Sequence, residues 1–361
     1  MTARLIFLVR IFAVAALLHW GPCGAAERLR VYGADVAQTS VSGVSSGCYM
    51  AVQFHVANSR VVMGAGVLAA GPYYCAQGSL YLALTRCMAP WEATPLPPIA
   101  RLKRFAQVFE ATGGIDPLAG IASSRVWLFS GTRDETVTRE VVSALRDWYR
   151  AVARELNPVM VTGVPAGHAM VTPDYGGACE TTREPFINAC RYDAAGALLA
   201  HIYGPLTPPG PDAPGKLIRF DQSEFAPRPP YTISMDEDGF AFVPDACLGA
   251  QCRVHIAFHG CGQATESIGE EFALHAGYNR WAAANRLIVL YPQAIARFGA
   301  GWHGGIFSFV LNPRGCWDWW GYTGQGYATR AGAQMRAVRA MLERLASPSR
   351  AATSAESNRK R

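Results

Sequence analysis

Ser40-Val41-Ser42-Gly43-Val44-Ser45-Ser46-Gly47-Cys48-Tyr49-Met50-Ala51 decides how the rest of the chain is read. Within it, Gly43-x-Ser45-x-Gly47 is the pattern of a nucleophile elbow, a serine held on a sharp turn between a strand and a helix. Glycine is needed two residues to either side because a side chain there would collide with the neighbouring strand or helix. Upstream, Arg28 to Val41 contains short apolar runs suited to a strand, and downstream Cys48 to Ala57 can form a helix. Ser45, and not Ser46, has glycine two residues away on both sides, which makes it the candidate nucleophile. Ser46 would then present its backbone N–H to a developing oxyanion. The bland alternative is a Ser/Gly turn whose hydroxyls only bond nearby backbone groups.

Composition permits a large core. Of 361 residues, 50% are hydrophobic and 17% charged, which argues for a globular protein and against disorder. The formal net charge of +6 is spread along the chain, with the only dense basic cluster at the last residues, so no nucleic-acid partner is expected. Met1 to about Ala26 reads as a secretory leader: Arg4 and Arg10 supply charge, Ile11 to Leu18 an apolar stretch, and Cys23-Gly24-Ala25-Ala26 a small-residue cleavage site. The apolar run is far short of the roughly 20 residues that span a bilayer. The expected organisation is a leader (1–26), one catalytic domain (27–346) and a polar tail (347–361), with the mature chain exported, soluble, free of the membrane and monomeric.

Ten cysteines fit an oxidising compartment better than the cytosol. Cys75 and Cys87, Cys179 and Cys190, and Cys247 and Cys252 lie at short separations, and Cys261 and Cys316 are a further candidate pair. No CxxC repeat or CxxC…HxxxH spacing supports zinc. Loss of Cys23 with the leader would leave nine, with Cys48 the candidate free thiol; were Cys23 retained, those two could pair instead.

The acid and base follow the elbow in chain order. After a buried strand at Val61 to Gly71 and a helix near Ile99 to Thr112, Arg125 to Phe129 reads as an apolar strand running into the turn Ser130-Gly131-Thr132-Arg133-Asp134. An acid on the loop after a late strand is where an α/β-hydrolase keeps the residue that orients its histidine. Asp134 could also merely cap the helix expected over Glu135 to Ala153. The strand Pro158 to Val164 then leads to Pro165-Ala166-Gly167-His168, a histidine in a Gly-containing loop placed as a general base. The order Ser45, Asp134, His168 is that of α/β-hydrolase triads.

An elbow this near the amino end has one candidate strand before it, whereas such an elbow sits in the middle of a large sheet. The missing strands are expected downstream, past the proline-rich segments Pro205 to Pro214 and Pro227 to Pro230. Tyr231 to Met235, Gly239 to Val243, Arg253 to Phe258 and Leu287 to Tyr291 read as strands, with a helix over Phe272 to Asn285. His259-Gly260-Cys261-Gly262 is an HG-type loop, the usual source of the second oxyanion N–H, here that of Cys261. His259 is expected to be structural. The fold class is therefore a single-domain α/β-hydrolase whose sheet is circularly permuted. Trp317-Asp318-Trp319-Trp320 cannot send all three indoles into a core from one strand or helix, so some are expected at a cleft. The closing helix is expected over Tyr327 to Leu345.

Ser42 to Gly47 with Tyr49-Met50-Ala51, Gly167-His168, His259 to Gly262, Tyr291-Pro292-Gln293 and Gly315-Cys316-Trp317-Asp318-Trp319-Trp320-Gly321-Tyr322 together resemble the secreted, single-domain poly(3-hydroxybutyrate) depolymerases, the fungal type and its bacterial relatives. The resemblance covers essentially the whole chain after the leader and implies a permuted α/β-hydrolase with triad Ser45, Asp134 and His168 and oxyanion donors Ser46 and Cys261. It implies that Trp317 or Trp319 lines the substrate cleft, and that Cys48 stands where many relatives have a second glycine. The implied chemistry is ester hydrolysis of a polyhydroxyalkanoate or its oligomers, needing no metal or cofactor. No polymer-binding domain after a Thr- or Ser-rich linker is read, so adsorption would use residues beside the cleft. A carbohydrate-ester esterase of feruloyl or acetyl type and a non-catalytic polyester-binding protein are the open alternatives.

Overall fold

A computed structural model describes residues 26–303 and 306–346. The leader up to residue 25, with Cys23, and the tail from residue 347 lie outside the described residues. The chain starts with the elbow unit, β1 (Thr39–Val44), α1 (Ser46–Ala57) and β2 (Val62–Leu68). Then come α2 (Leu80–Arg86), α3 (Ile99–Ala111), β3 (Arg125–Phe129), α4 (Arg139–Val152) and β4 (Val159–Val161). Three short strands form a small separate sheet, β5 (Met170–Thr172), β6 (Gly177–Ala178) and β7 (Ile187–Ala189), followed by α5 (Ala194–Tyr203). The second half gives β8 (Gly215–Asp221), β9 (Asp238–Pro244), β10 (Arg253–Phe258), α6 (Thr265–Ile268), α7 (Glu271–His275), α8 (Tyr278–Ala284) and β11 (Leu287–Tyr291). A hairpin of β12 (Arg297–His303) and β13 (Ile306–Asn312) precedes α9 (Ala333–Ala346).

Eight strands form the main sheet in the order β4-β3-β2-β1-β10-β11-β9-β8. β9 runs antiparallel to both neighbours and every other pairing is parallel. Counted across the sheet from β8, the elbow strand β1 is the fifth, yet it comes first in the chain. This is the permuted α/β-hydrolase sheet, with the downstream half supplying the strands that the amino end lacks. β10 packs beside β1 in register Thr39↔Val254 through Gly43↔Phe258, which delivers the His259-Gly260-Cys261 loop next to the elbow.

Central parallel strands covered on both faces should be nearly all apolar. β1 is fully buried but reads Thr-Ser-Val-Ser-Gly-Val, and its hydroxyls are matched. Ser40 Oγ and Ser42 Oγ each lie 2.7 Å from a ring nitrogen of buried His255, and they also bond the hydroxyls of Tyr203 and Tyr278. Burial pushes the His255 imidazole down to about 3, so the ring is neutral and can donate from one nitrogen while accepting at the other. α1 is buried all round and packs on β1, β2 and β10, as a helix threaded between layers must be.

Three expected elements differ. Tyr231 to Met235 is not a strand: Pro229 and Pro230 fix φ and remove a donor, and the segment closes into a 3₁₀ turn over Pro230–Ile233. The sheet edge comes instead from β8, in the stretch between the two proline-rich segments. The helix expected over Phe272 to Asn285 breaks at Gly277, whose φ of +92° is left-handed. The closing helix begins at Ala333: Thr329 N–H closes a turn on Gly326 and Gly332 N–H one on Thr329, and Arg336 N–H then donates to the Gly332 carbonyl as the helix starts.

Candidate active site

Ser45 sits between β1 and α1 with φ 55° and ψ −123°, a strained conformation for a residue with a side chain and one that clusters at functional sites. The two glycines explain how the turn fits. A Cβ on Gly43 would lie 2.6 Å from both the Gly47 and Phe258 backbones, and one on Gly47 would lie 2.3 Å from the carbonyl oxygens of Phe258 and His259. Ser45 N–H donates to the Leu68 carbonyl at 3.0 Å, but its hydroxyl caps no backbone group of α1. That geometry disfavours the bland Ser/Gly turn.

Asp134 and His168 meet although 34 residues separate them. β3 ends at Phe129, and Gly131 allows the following turn to press against the His168 loop, where a Cβ would lie 2.1 Å from the Ala166 carbonyl. Asp134 Oδ1 accepts the N–H groups of Thr136 and Val137, each at 2.9 Å, so it does tie down the segment before α4 as a capping residue would. Its other oxygen accepts from His168 Nδ1 at 2.8 Å, with the two side chains 2% and 9% exposed. His168 Nε2 is buried without a hydrogen-bond partner. This is the tautomer and orientation a general base requires, with Nδ1 holding the acid and Nε2 left for the nucleophile. Sequence reasoning missed how the loop is fixed. His168 N–H donates to Thr182 Oγ1 at 2.8 Å and Gly167 N–H to the Cys179 carbonyl at 2.8 Å, so the loop closed by the Cys179–Cys190 disulfide supports the histidine.

The two expected oxyanion donors flank Ser45. Ser46 is the first residue of α1, so its N–H has no partner one turn back and lies at the positive end of the helix dipole. Cys261 lies on the loop after β10 and is disulfide-bonded to Cys316. Gly260 N–H donates to Gln263 Oε1 at 2.7 Å, Gly262 N–H to the Arg314 carbonyl at 2.6 Å, and Gln263 Nε2 to the Phe186 carbonyl at 2.9 Å. His259 serves this loop, as expected: Nδ1 donates to the Gly260 carbonyl and Nε2 accepts Ala294 N–H. Burial pushes its imidazole down to about 4, consistent with a neutral structural ring.

Ser45, His168 and Cys261 line a cavity of about 100 Å³ together with Thr182, Phe186 and Arg314. Ser45 and Cys261 also line a second cavity of about 300 Å³, predominantly apolar, whose walls include Tyr49, Leu80, Leu84, Leu311, Trp319 and Trp320. Trp319 stacks on Tyr49 at 3.9 Å and stands edge-on to Trp320. Trp317, the other tryptophan expected at the cleft, is completely buried. It packs edge-on against Phe258 and beside His259, behind the His259-Gly260-Cys261 loop, and is not among the residues lining either cavity. The segment is thus a packed aromatic corner with one face on the cleft, and Trp320 is the cleft residue the sequence did not single out. The larger cavity of about 520 Å³, lined by Arg60, Asp116, Arg330 and Arg336, lies at the far end of α1, about 18 Å of helix from Ser45.

The four expected disulfides are all formed, and among the described residues Cys48 is the free, buried thiol. Its Sγ donates to the Gly43 carbonyl at 2.6 Å and accepts Leu68 N–H at 2.8 Å, bridging β1 and β2 beneath the elbow. Burial raises this thiol well above its ordinary pKa, so it is inert. Among the described residues no three of His, Cys, Asp and Glu converge to hold a metal.

No protein-family profile matches the chain. It is 40% identical over 341 residues to a poly(3-hydroxybutyrate) depolymerase of Delftia acidovorans, covering 93% of this chain but 65% of that protein, just under two thirds of its length. It is 36% identical to a polyhydroxybutyrate depolymerase of Talaromyces funiculosus, covering 90% and 94%. Among solved structures, a PHB depolymerase from Penicillium funiculosum superposes with a TM-score of 0.78 at 31% identity, covering 88% of this chain and 98% of that one. A serine-to-alanine PHB depolymerase variant complexed with an R3HB trimer superposes equally well, at 32% identity and the same coverage.

Proposed function

The chain belongs to the poly(3-hydroxybutyrate) depolymerase family, and on that premise we propose that it is an exported serine hydrolase cutting the ester bonds of poly(3-hydroxybutyrate) or its oligomers. The observation that carries the mechanism is the Asp134–His168 pair at 2.8 Å with the unpartnered Nε2 in a cavity shared with Ser45. Ser45 Oγ attacks the ester carbonyl as His168 Nε2 takes its proton, and Asp134 stabilises the imidazolium. The tetrahedral oxyanion is held by the N–H groups of Ser46 and Cys261, the loss of one such donor costing about 10²–10³ in rate. Collapse expels the alcohol end of the chain, which takes the proton from His168. Water, deprotonated by His168, then attacks the acyl-serine, releasing the carboxylic acid and restoring Ser45.

Adsorption to the solid polymer falls to apolar side chains at the cleft mouth. Leu84 on α2 is 54% exposed, and Leu311, Phe298 and Phe309 share one face of the β12–β13 hairpin at 40–64% exposure. Contiguous exposed apolar groups of this kind mark interaction surfaces. One chain supplies the whole site, so a monomer suffices. Four disulfides fit an oxidising compartment outside the cytosol, reached by removal of the leader from a catalytic domain spanning 27–346. Incubation with an R-3-hydroxybutyrate trimer should release monomer and dimer. Cleavage of p-nitrophenyl butyrate or of acylated xylan fragments without trimer hydrolysis would reject the polyester reading.

A further inference from the structure

Among the described residues, Arg314 is the only charged one in the wall of the apolar cavity of about 300 Å³, and besides His168 the only charged or titratable one in the wall of the cavity of about 100 Å³. Together with Ser45, Met88 and Cys261 it borders both, so the residue belongs to the wall around the proposed nucleophile, with its guanidinium beside Phe186 and Gly262. Its place is fixed from three directions. The Arg314 carbonyl accepts Gly262 N–H at 2.6 Å, two residues on Cys316 is disulfide-bonded to Cys261, and the guanidinium lies over the Phe186 ring at 5.4 Å. No carboxylate of the described residues lies within 4.0 Å of Arg314. Glu266, across Gly315 from it, accepts the Ala296 N–H instead. Water and the ester carbonyl oxygens of an uncharged chain can accept hydrogen bonds from this exposed guanidinium, but only an anion balances its charge.

A carboxylate does occur in this chemistry. The last unit of a 3-hydroxybutyrate chain ends in a free carboxylate, and when the scissile bond is near that end the leaving fragment carries it. Resting on the polyester reading, we propose that Arg314 is a specificity-determining residue that binds the terminal carboxylate of the leaving fragment, favouring oligomers and chain ends over internal bonds. The side of the site follows from His168. The proton donor to the leaving oxygen and Arg314 share the smaller cavity, whose volume of about 100 Å³ leaves room for a short fragment only. Guanidinium presents a planar pair of donors matched to a carboxylate, which an ammonium reproduces less well.

The test compares an R-3-hydroxybutyrate trimer as free acid and as methyl ester, with wild type, Arg314→Met and Arg314→Lys. Methionine keeps an apolar stem over Phe186 and removes the charge. Wild type should favour the acid in kcat/KM by about tenfold or more, the worth of one charge-assisted contact. In Arg314→Met the acid-over-ester ratio should fall to near one, mainly through KM, with Arg314→Lys between. Raising salt to about 0.5 M should shrink the wild-type ratio, since the site is exposed. A ratio preserved in Arg314→Met, or equal loss on both substrates, overturns the inference. Wild type cleaving the methyl ester with no preference for the acid overturns this proposal alone, whereas cleavage of neither compound overturns the polyester reading with it.

Discussion

Replacing Cys261 and Cys316 together by serine should damage the enzyme in two separable ways. The bridge closes a loop of sequence separation 55, and the chain-entropy model assigns such a loop about 4 kcal/mol of stability. Cys247–Cys252 closes a separation of only 5, for which the same model gives about 2 kcal/mol. The second effect is local. On the proposed mechanism Cys261 supplies an oxyanion N–H, and its loop would then be held by the Gly262–Arg314, Gly260–Gln263, Gln263–Phe186 and His259 contacts. Those contacts preserve part of the geometry, so kcat should fall by about tenfold to a hundredfold, less than loss of the donor itself. Thermal melts and turnover of a soluble ester, measured well below each variant's melting temperature, separate the two effects. The Cys247→Ser/Cys252→Ser variant should lose stability and keep kcat. The reasoning is refuted if the Cys261/Cys316 variant turns over at the wild-type rate, or if both variants lose kcat alike.

Asp134→Asn should leave the fold intact and lower kcat by about 10³–10⁴, because an amide facing His168 Nδ1 no longer selects the tautomer with Nε2 free; near-normal pH–rate profiles in the variant would contradict the assignment. Cys48→Ala should cost about 1–3 kcal/mol in denaturant melts by stranding Leu68 N–H and the Gly43 carbonyl, whereas Cys48→Ser, which can donate and accept in the same way, should cost less; the reverse order would count against the bridge. His55, His255 and His259 are buried with imidazoles pushed down to about 4, 3 and 4. Folded chains keep them neutral while unfolded chains bind protons below about pH 6.5, so their contribution is full above that pH and is lost as pH falls toward 4, by up to about 1.4 kcal/mol per unit for each. Melting temperatures flat between pH 7 and 4.5 would show that these rings do not set acid stability.

The elbow was legible because its chemistry is local: a strained serine needs Gly43 and Gly47, and both contacts are backbone contacts within the turn or with the adjacent strand. Asp134 and His168 were legible through chain order and strand-then-turn context, and the permuted sheet through the shortage of strands before Ser45. What escaped depends on tertiary packing. β8 is an edge strand with mixed burial, so its Lys-Leu-Ile-Arg-Phe alternation looked like linker. Tyr231 to Met235 has strand-like side chains, but the two prolines before it decide the backbone. The division of labour among Trp317, Trp319 and Trp320 follows from which face of a folded corner meets the cleft, and no spacing within the segment encodes that. Thr182 supports His168 from a disulfide-closed loop, a contact between loops without a motif.

Clearing of an amorphous poly(3-hydroxybutyrate) suspension by the wild-type protein and by Ser45→Ala tests the central claim most directly. Clearing by wild type with release of 3-hydroxybutyrate, and none by the folded variant, is the predicted result. Equal clearing by the two would remove Ser45 as nucleophile, and a folded wild type that adsorbs to the polymer without clearing it would contradict catalysis altogether.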